Sequence, residues 1–309
     1  MSFLDSLFFC VHKSQFLFFD FNQKKKTSLT LLNTISFTFV SMKKIIFFNL
    51  ILSLVILSSC SGYNKVVKGD NYEDKFRVAG ENYDDGKYMR SVALYEQIYQ
   101  RVPRTAEGEL AYYRLGKAYY FEKDYSMAGY YFNSFYERFT TSIHAEEALF
   151  LSVLCSVENS PEFSLDQNDT ELAINDLQQF INRFPNSELV DSCNHEMDRL
   201  RFKLETKDYE TVKLYSKTEN YKSAIMTSQT FMEDYPGSKY KEEISFILVN
   251  SSYFLSKNSI ETKKKVRIEE TLERYRNFVT EFPNSKYKRE VNSISDEMEK
   301  GLQLLTITK

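Results

Sequence analysis

The residue types that carry covalent or metal chemistry are few in this chain and badly spaced for it. Four cysteines are present, Cys10, Cys60, Cys155 and Cys193, with three histidines, His12, His144 and His195. No two cysteines form a C-x-x-C pair, and no histidine sits at metal-ligand spacing from another histidine or a cysteine, so zinc and thioredoxin-like chemistry have no motif to use. The sequence holds no G-x-S-x-G, H-E-x-x-H or glycine-rich phosphate loop. Paired carboxylates such as Asp84-Asp85 and Glu146-Glu147 are plentiful, but on helical repeats they form solvated faces. The expectation is a protein with no catalytic residues, no metal and no cofactor.

One cysteine stands apart. Residues 42–60 read MKKIIFFNLILSLVILSSC. Lys43 and Lys44 form a charged start, and Ile45 to Leu57 form an apolar run interrupted only by Asn49 and Ser53. The run is short of the ~20 residues that span a bilayer, which argues against a transmembrane anchor, and it suits a secretory signal. Leu57-Ser58-Ser59-Cys60 then matches the bacterial lipobox, in which the cysteine thiol takes a diacylglyceryl group and becomes the new N-terminus. The expected organisation is a non-native upstream extension over 1–41, a lipoprotein signal peptide over 42–59, a lipidated Cys60 and tether over 60–70, and a folded domain over 71–309. Ser61-Gly62-Tyr63-Asn64-Lys65 contains no acidic cluster, so the anchor is expected to face the periplasm.

The elements behind these residues are helices. Among 309 residues there are only 9 Gly and 5 Pro, against 22 Tyr, 26 Phe and no Trp. Net charge is −3; six lysines and only two acidic residues fall in 1–59, so residues 60–309 carry −7. A mildly acidic domain is a poor partner for nucleic acid, which is bound by neutralising phosphates. From about residue 70 a phrase recurs: an aromatic or aliphatic residue, Pro, then Ser or Thr two residues on. It appears at Val102-Pro103, Phe184-Pro185, Tyr235-Pro236 and Phe282-Pro283, and at Phe139-Thr140 without the proline. Pro ends one helix and the hydroxyl caps the next. Intervals of 37, 45, 51 and 47 residues predict a solenoid.

The unit 109–140 is the most regular. Tyr112, Leu115, Gly116, Tyr119, Ala128 and Phe132 occupy tetratricopeptide consensus positions. Gly116 and Ala128 are small where two helices of a pair cross; Ala173, Ala224, Ser91 and Thr271 hold the position of Ala128 in the other pairs. The sequence predicts an all-α, tetratricopeptide-like superhelical solenoid of about five helix pairs, 71–101, 107–139, 144–184, 187–235 and 239–282, plus a C-terminal helix after Ser285. A polar insertion is expected over 157–169, and a long helix from about Ser187 to Tyr215. Cys155 and Cys193 are expected to stay unpaired, offset by several helical turns.

With its lipobox, tether, five helix pairs, F/Y-P-x-S turns and long helix in the fourth pair, the chain over 60–309 resembles the BamD family of outer-membrane protein assembly factors. It departs from the pattern at Thr140 and in the 157–169 insertion. The resemblance implies an outer-membrane lipoprotein, anchored by lipid and facing the periplasm, that scaffolds β-barrel assembly. It implies C-terminal repeats that hold the periplasmic domain of a BamA-like barrel subunit, and N-terminal repeats that receive unfolded outer-membrane β-barrel proteins. The residues offer a groove for the latter. Phe76 and Tyr83 in the first pair, and Tyr113, Lys117 and Tyr120 in the second, fall at positions that face a concave surface, where rings would seat an extended peptide and Lys117 a carboxylate. The alternative is that the tether or a neighbouring helix covers these rings as core. Two other functions remain open. One is a periplasmic adaptor for peptidoglycan enzymes. The other is a SusD-like glycan-binding lipoprotein, although such proteins are usually much longer and rely on Trp.

Overall fold

Each proline-ended turn does what its chemistry dictates. A residue before proline is driven out of the α region, and Val102, Phe184, Tyr235 and Phe282 close their helices at φ between −122° and −130° and ψ between 53° and 66°. Phe139 takes the same shape, φ −123° and ψ 51°, before Thr140. Packing therefore imposes the turn even where no proline enforces it.

The computed structural model describes residues 61–307, and within them every regular element is a helix. The leader, the lipobox and Cys60 lie outside the described residues. Within the expected tether, Ser61–Lys68 is helical (α1). The described residues up to Asn71 belong to a different unit from those from Tyr72 onward. The second unit runs through α2 (Tyr72–Asp84), α3 (Tyr88–Arg101), α4 (Ala106–Phe121), α5 (Tyr125–Arg138), α6 (Ala145–Asn159) and α7 (Asn168–Arg183). It continues with α8 (Val190–Lys217), α9 (Tyr221–Asp234), α10 (Lys241–Lys257), α11 (Glu261–Glu281) and α12 (Lys288–Ile307). Successive helices pack on one another as α2/α3, α4/α5, α6/α7, α8/α9 and α10/α11, with α12 against α10 and α11. This is the expected all-α solenoid of five pairs and a final helix. No helix among the described residues is long and apolar enough to cross a membrane.

Small residues set the spacing within pairs. A Cβ on Gly116 would stand 2.8 Å from the Phe132 ring. Ser91, Ala128, Ala173, Ala224 and Thr271 are all fully buried at the equivalent crossing. Two turns later Ile98, Phe135, Phe180, Phe231 and Phe278 fill the core. The turns within the first, second and fourth pairs use a left-handed residue, Gly86 at φ 73°, Lys123 at 62° and Glu219 at 58°.

The long helix α8 has 28 residues and serves two cores. Its first half buries Cys193, Met197 and Leu200 against Val153, Val157, Leu177 and Phe180 of the third pair. Its second half buries Tyr209 and Val212 against Phe231, Ile244 and Ile247. The insertion is shorter than expected, because α6 continues to Asn159 and α7 starts at Asn168. The loop 160–167 is held by Gln167, whose buried amide donates to the carbonyls of Glu162 (2.8 Å) and Leu165 (3.0 Å). Lys203 of α8 donates to Ser160 Oγ (2.7 Å) and to the Pro161 carbonyl (3.0 Å), and Lys207 to the Leu165 carbonyl, so the loop is strapped to α8.

Cys155 and Cys193 are free and buried. They lie on opposite sides of α6. Cys193 packs with Val153 and Val157, whereas a Cβ on Gly129 of α5 would stand 3.2 Å from that of Cys155. Burial pushes the Cys155 thiol up to about 12 and that of Cys193 to about 11.

Candidate peptide-binding face of the first two pairs

The pairs are joined by a repeated set of side chains. At the turn after the third pair, the Ser187 hydroxyl donates to Glu146 of α6 (2.5 Å) and accepts the Leu189 N–H (3.1 Å). Ser238 does the same between Glu205 (2.5 Å) and the Tyr240 N–H (3.0 Å), and Ser285 between Glu242 (2.7 Å) and the Tyr287 N–H (3.0 Å). Four residues after each glutamate, on the same helical face, stands a ring: Phe150, Tyr209 and Phe246. At the last two junctions the residue held by the serine covers it. Tyr240 stacks on Tyr209 at 3.9 Å and 10°, and Tyr287 on Phe246 at 4.2 Å and 6°. Between the second and third pairs, Ser142 accepts the His144 N–H (3.1 Å) and His144 stacks on Tyr113 at 4.4 Å and 10°.

This pattern decides what the expected groove residues do. Tyr113 is a junction ring, 5 % exposed, so of the five it offers a ligand the least. Lys117 lies 5.4 Å from the Tyr113 ring and 3.2 Å from Glu147 Oε1, so a ligand carboxylate would compete with Glu147 for it. Tyr83 packs edge-on to Tyr88 (5.5 Å) under the Arg114 guanidinium (5.6 Å), and burial pushes its phenol up to about 12. Half-buried Tyr120 meets Tyr125 edge-on at 5.5 Å, and its phenol is raised, first by burial. Phe121, which the groove positions did not include, joins the two. It is 46 % exposed and sits 6.2 Å from both Tyr83 and Tyr120. Tyr83, Tyr88, Phe121, Tyr120 and Tyr125 thus form one band of rings along the turn ends of the first two pairs.

Phe76 belongs to a different place. It occupies the junction-ring position of the first pair, edge-on to Tyr95 at 6.3 Å, and among the described residues from Tyr72 onward no other ring pairs with it. Tyr72 stands where later pairs have glutamate, Thr105 where they have serine, and Glu107 where they have His144, Leu189, Tyr240 or Tyr287. Thr105 caps its own helix, accepting the Gly108 N–H at 3.1 Å. A Cβ on Gly108 would stand 1.9 Å from the Val102 carbonyl oxygen, so the absence of a side chain there is what lets this turn lie against the start of α4. Glu107 is exposed and its carboxylate turns back to its own backbone N–H, beside the Thr105 hydroxyl, which lowers its pKa. The result is a mainly apolar cleft of about 370 Å³ lined by Tyr72, Phe76, Ile98, Val102, Thr105 and Glu107. A larger, more polar cleft of about 640 Å³ lies between α5 and α7 over Leu149 and Val153. Among the described residues no group of three or more His, Cys, Asp or Glu could hold a metal ion.

Stacked helix pairs, a lengthened connecting helix and peptide-sized surface clefts define the tetratricopeptide-like class of repeat scaffold. The family described as "YfiO: Outer membrane lipoprotein" matches residues 70–229 and 215–303, and the chain belongs to that family. Two relatives are similar, each described as "Outer membrane protein assembly factor BamD". The protein from Caulobacter vibrioides is 21 % identical over 57 % of this chain and 58 % of its own length. The one from Pasteurella multocida is 19 % identical over 76 % of this chain and 90 % of its own length. The solved structure of a thermophilic TPR protein from Thermus thermophilus aligns at 14 % identity and a TM-score of 0.28 over 72 % of this chain and 98 % of its own.

Proposed function

We propose that this chain is a lipid-anchored scaffold of outer-membrane β-barrel assembly, held at the periplasmic face through Cys60 and without catalysis of its own. The observation that supports it is the match to the outer-membrane lipoprotein family across nearly the whole solenoid, residues 70–303. In this reading the last two pairs and α12 hold the periplasmic domain of a BamA-like barrel subunit, and the first two pairs receive unfolded β-barrel proteins. A solenoid suits the double duty, because each pair is stabilised mainly by its neighbours and its ends can carry separate partners.

Two experiments test this. Labelled fatty acid should enter the wild-type protein and fail to enter a Cys60→Ala variant; equal labelling of the variant would end the lipoprotein claim. Photo-cross-linkers placed at Asp296 and Gln303, both exposed on α12, should capture the barrel subunit. The same group at Phe121 or Tyr120 should capture unfolded β-barrel chains. Capture of neither class from either end would overturn the scaffold reading, and the reverse pattern would overturn the assignment of ends.

A further inference from the structure

The cleft between α5 and α7 has a counterpart one pair earlier, between α3 and α5, and the same bond crosses both. Arg138 of α5 donates to the Tyr99 hydroxyl of α3 at 2.9 Å, and Arg183 of α7 donates to the Tyr136 hydroxyl of α5 at 3.0 Å. The crossing alanines fix the equivalence, since Ala128 stands ten residues before Arg138 and Ala173 ten before Arg183. The earlier cleft is filled by the chain's own rings. Tyr112 and Tyr119 of α4 are buried in it. Tyr131 of α5 lies 5.3 Å from Tyr112, stacks on Tyr119 at 5.4 Å and 9°, and donates its hydroxyl to Glu96 of α3 at 3.2 Å. In the later cleft the same three positions hold Leu149, Ser156 and Asp176. All three rings are gone, and the described residues leave about 640 Å³ in that place. The floor is apolar, with Leu149, Val153 and Phe180. The polar groups around it are already bonded: Asp176 accepts the Ser156 hydroxyl (2.9 Å), Glu137 the Asn133 amide (3.0 Å), and Ser152 donates to the Gly129 carbonyl (3.2 Å). A carboxylate has about four acceptor sites, so Asp176 has room for a further donor. What this cleft lacks, relative to its counterpart, is aromatic area on Leu149 and a phenol hydroxyl given to a carboxylate.

We propose that the cleft between α5 and α7 is a docking site for a tyrosine side chain of a partner polypeptide. The ring sits on Leu149 and Val153, and its hydroxyl donates to Asp176, in the space that Tyr112, Tyr119 and Tyr131 fill one pair earlier. The site is additional to the two ends of the scaffold and does not depend on which partner either end holds.

N-acetyltyrosinamide is the probe, titrated into the full-length protein carrying isotope-labelled leucine and valine methyl groups and followed by NMR. The Leu149 and Val153 methyl signals should shift and saturate. N-acetylphenylalaninamide, which lacks the hydroxyl, should bind about tenfold more weakly. Asp176→Asn keeps the shape and replaces the charged acceptor with a neutral one, so it should shrink that preference. Leu149→Tyr restores the ring of Tyr112 and Asp176→Tyr that of Tyr131. Each should fill the cleft from within and abolish the shift at Val153. Circular dichroism checks that the helices are kept, and if one of these variants loses them the other carries the comparison. No saturable shift in the wild type overturns the proposal. So does equal affinity for N-acetylleucinamide, or undiminished binding in a folded refilled variant. A photo-cross-linker at Gln179, exposed on the rim of the cleft, then tells whose tyrosine docks in cells. The cross-linked segment should belong to another polypeptide and contain a tyrosine. Cross-links confined to residues 1–71 of this chain, or to segments without tyrosine, overturn the proposal.

Discussion

Single side chains decide how closely the helices approach. Gly116 lies under a fully buried Phe132, and a methyl group there would sit 2.8 Å from the ring. Gly116→Ala should therefore cost about 1–3 kcal/mol through overpacking, read as a lower urea midpoint with an unchanged slope. Glu147 shows how charge is used at the same junction. Burial alone would raise its pKa, but the neighbouring Tyr113 hydroxyl and the Lys117 ammonium outweigh this and hold it below the usual glutamate range. A carboxylate depressed in the folded state stabilises the fold fully above its unfolded pKa and stops doing so as pH falls through the folded value. The stability lost by Glu147→Gln should thus be larger at about pH 7 than at about pH 3. An equal loss at both would show that the carboxylate is not coupled to its neighbours. Tyr113 also marks where reading by position fell short. In sequence, a position facing a neighbouring pair and one facing a groove look alike until the closeness of the pairs is known. The His144 ring that covers it lies 31 residues downstream.

At the scale of elements, the turns hold spare stability. Lys123 and Glu219 adopt the left-handed conformation that Gly86 adopts without strain. Glu219→Gly should then stabilise the protein by about 0.5–1 kcal/mol, since the left-handed cost of a side chain exceeds the extra entropy of glycine in the unfolded chain. Thr140→Pro should act in the same direction by about 0.4–1 kcal/mol, because Phe139 already has the shape that precedes proline in the other four turns. Thermal denaturation of both variants checks this, and a lower Tm for either would mean the local geometry is held by something the turn residue contributes. The helices themselves were legible, since proline and hydroxyl residues punctuate them and the small crossing positions recur. The loop 160–167 was legible only as polar, because its order comes from Gln167 and from Lys203 and Lys207 on a helix some 40 residues away. The glutamate–serine–ring junctions were visible as separate fragments but not as one device, since their members are 33–43 residues apart.

At the scale of the molecule, the last described helix covers the core of the fifth pair. α12 buries Val291, Ile294 and Met298 in the last core and leaves Asn292, Ser293, Asp296, Glu299 and Gln303 exposed, the polar outer face a terminal repeat needs for solubility. Between the two ends runs α8, whose buried residues stop at Leu200 on one side and resume at Tyr209 on the other. Because it is one unbroken helix, it fixes a phase as well as a length. Each residue added between 201 and 208 would advance the far half by ~1.5 Å and turn it by about 100°. A single inserted alanine would leave both cores intact yet swing the last two pairs well out of register with the first three. Seven inserted residues would bring the two halves back to nearly the same rotation, about 10 Å further apart. If both ends must engage partners at once, assembly in cells should fail with one residue and recover with seven. Angular timing along one helix, more than the reach of the scaffold, would then be what couples its two ends.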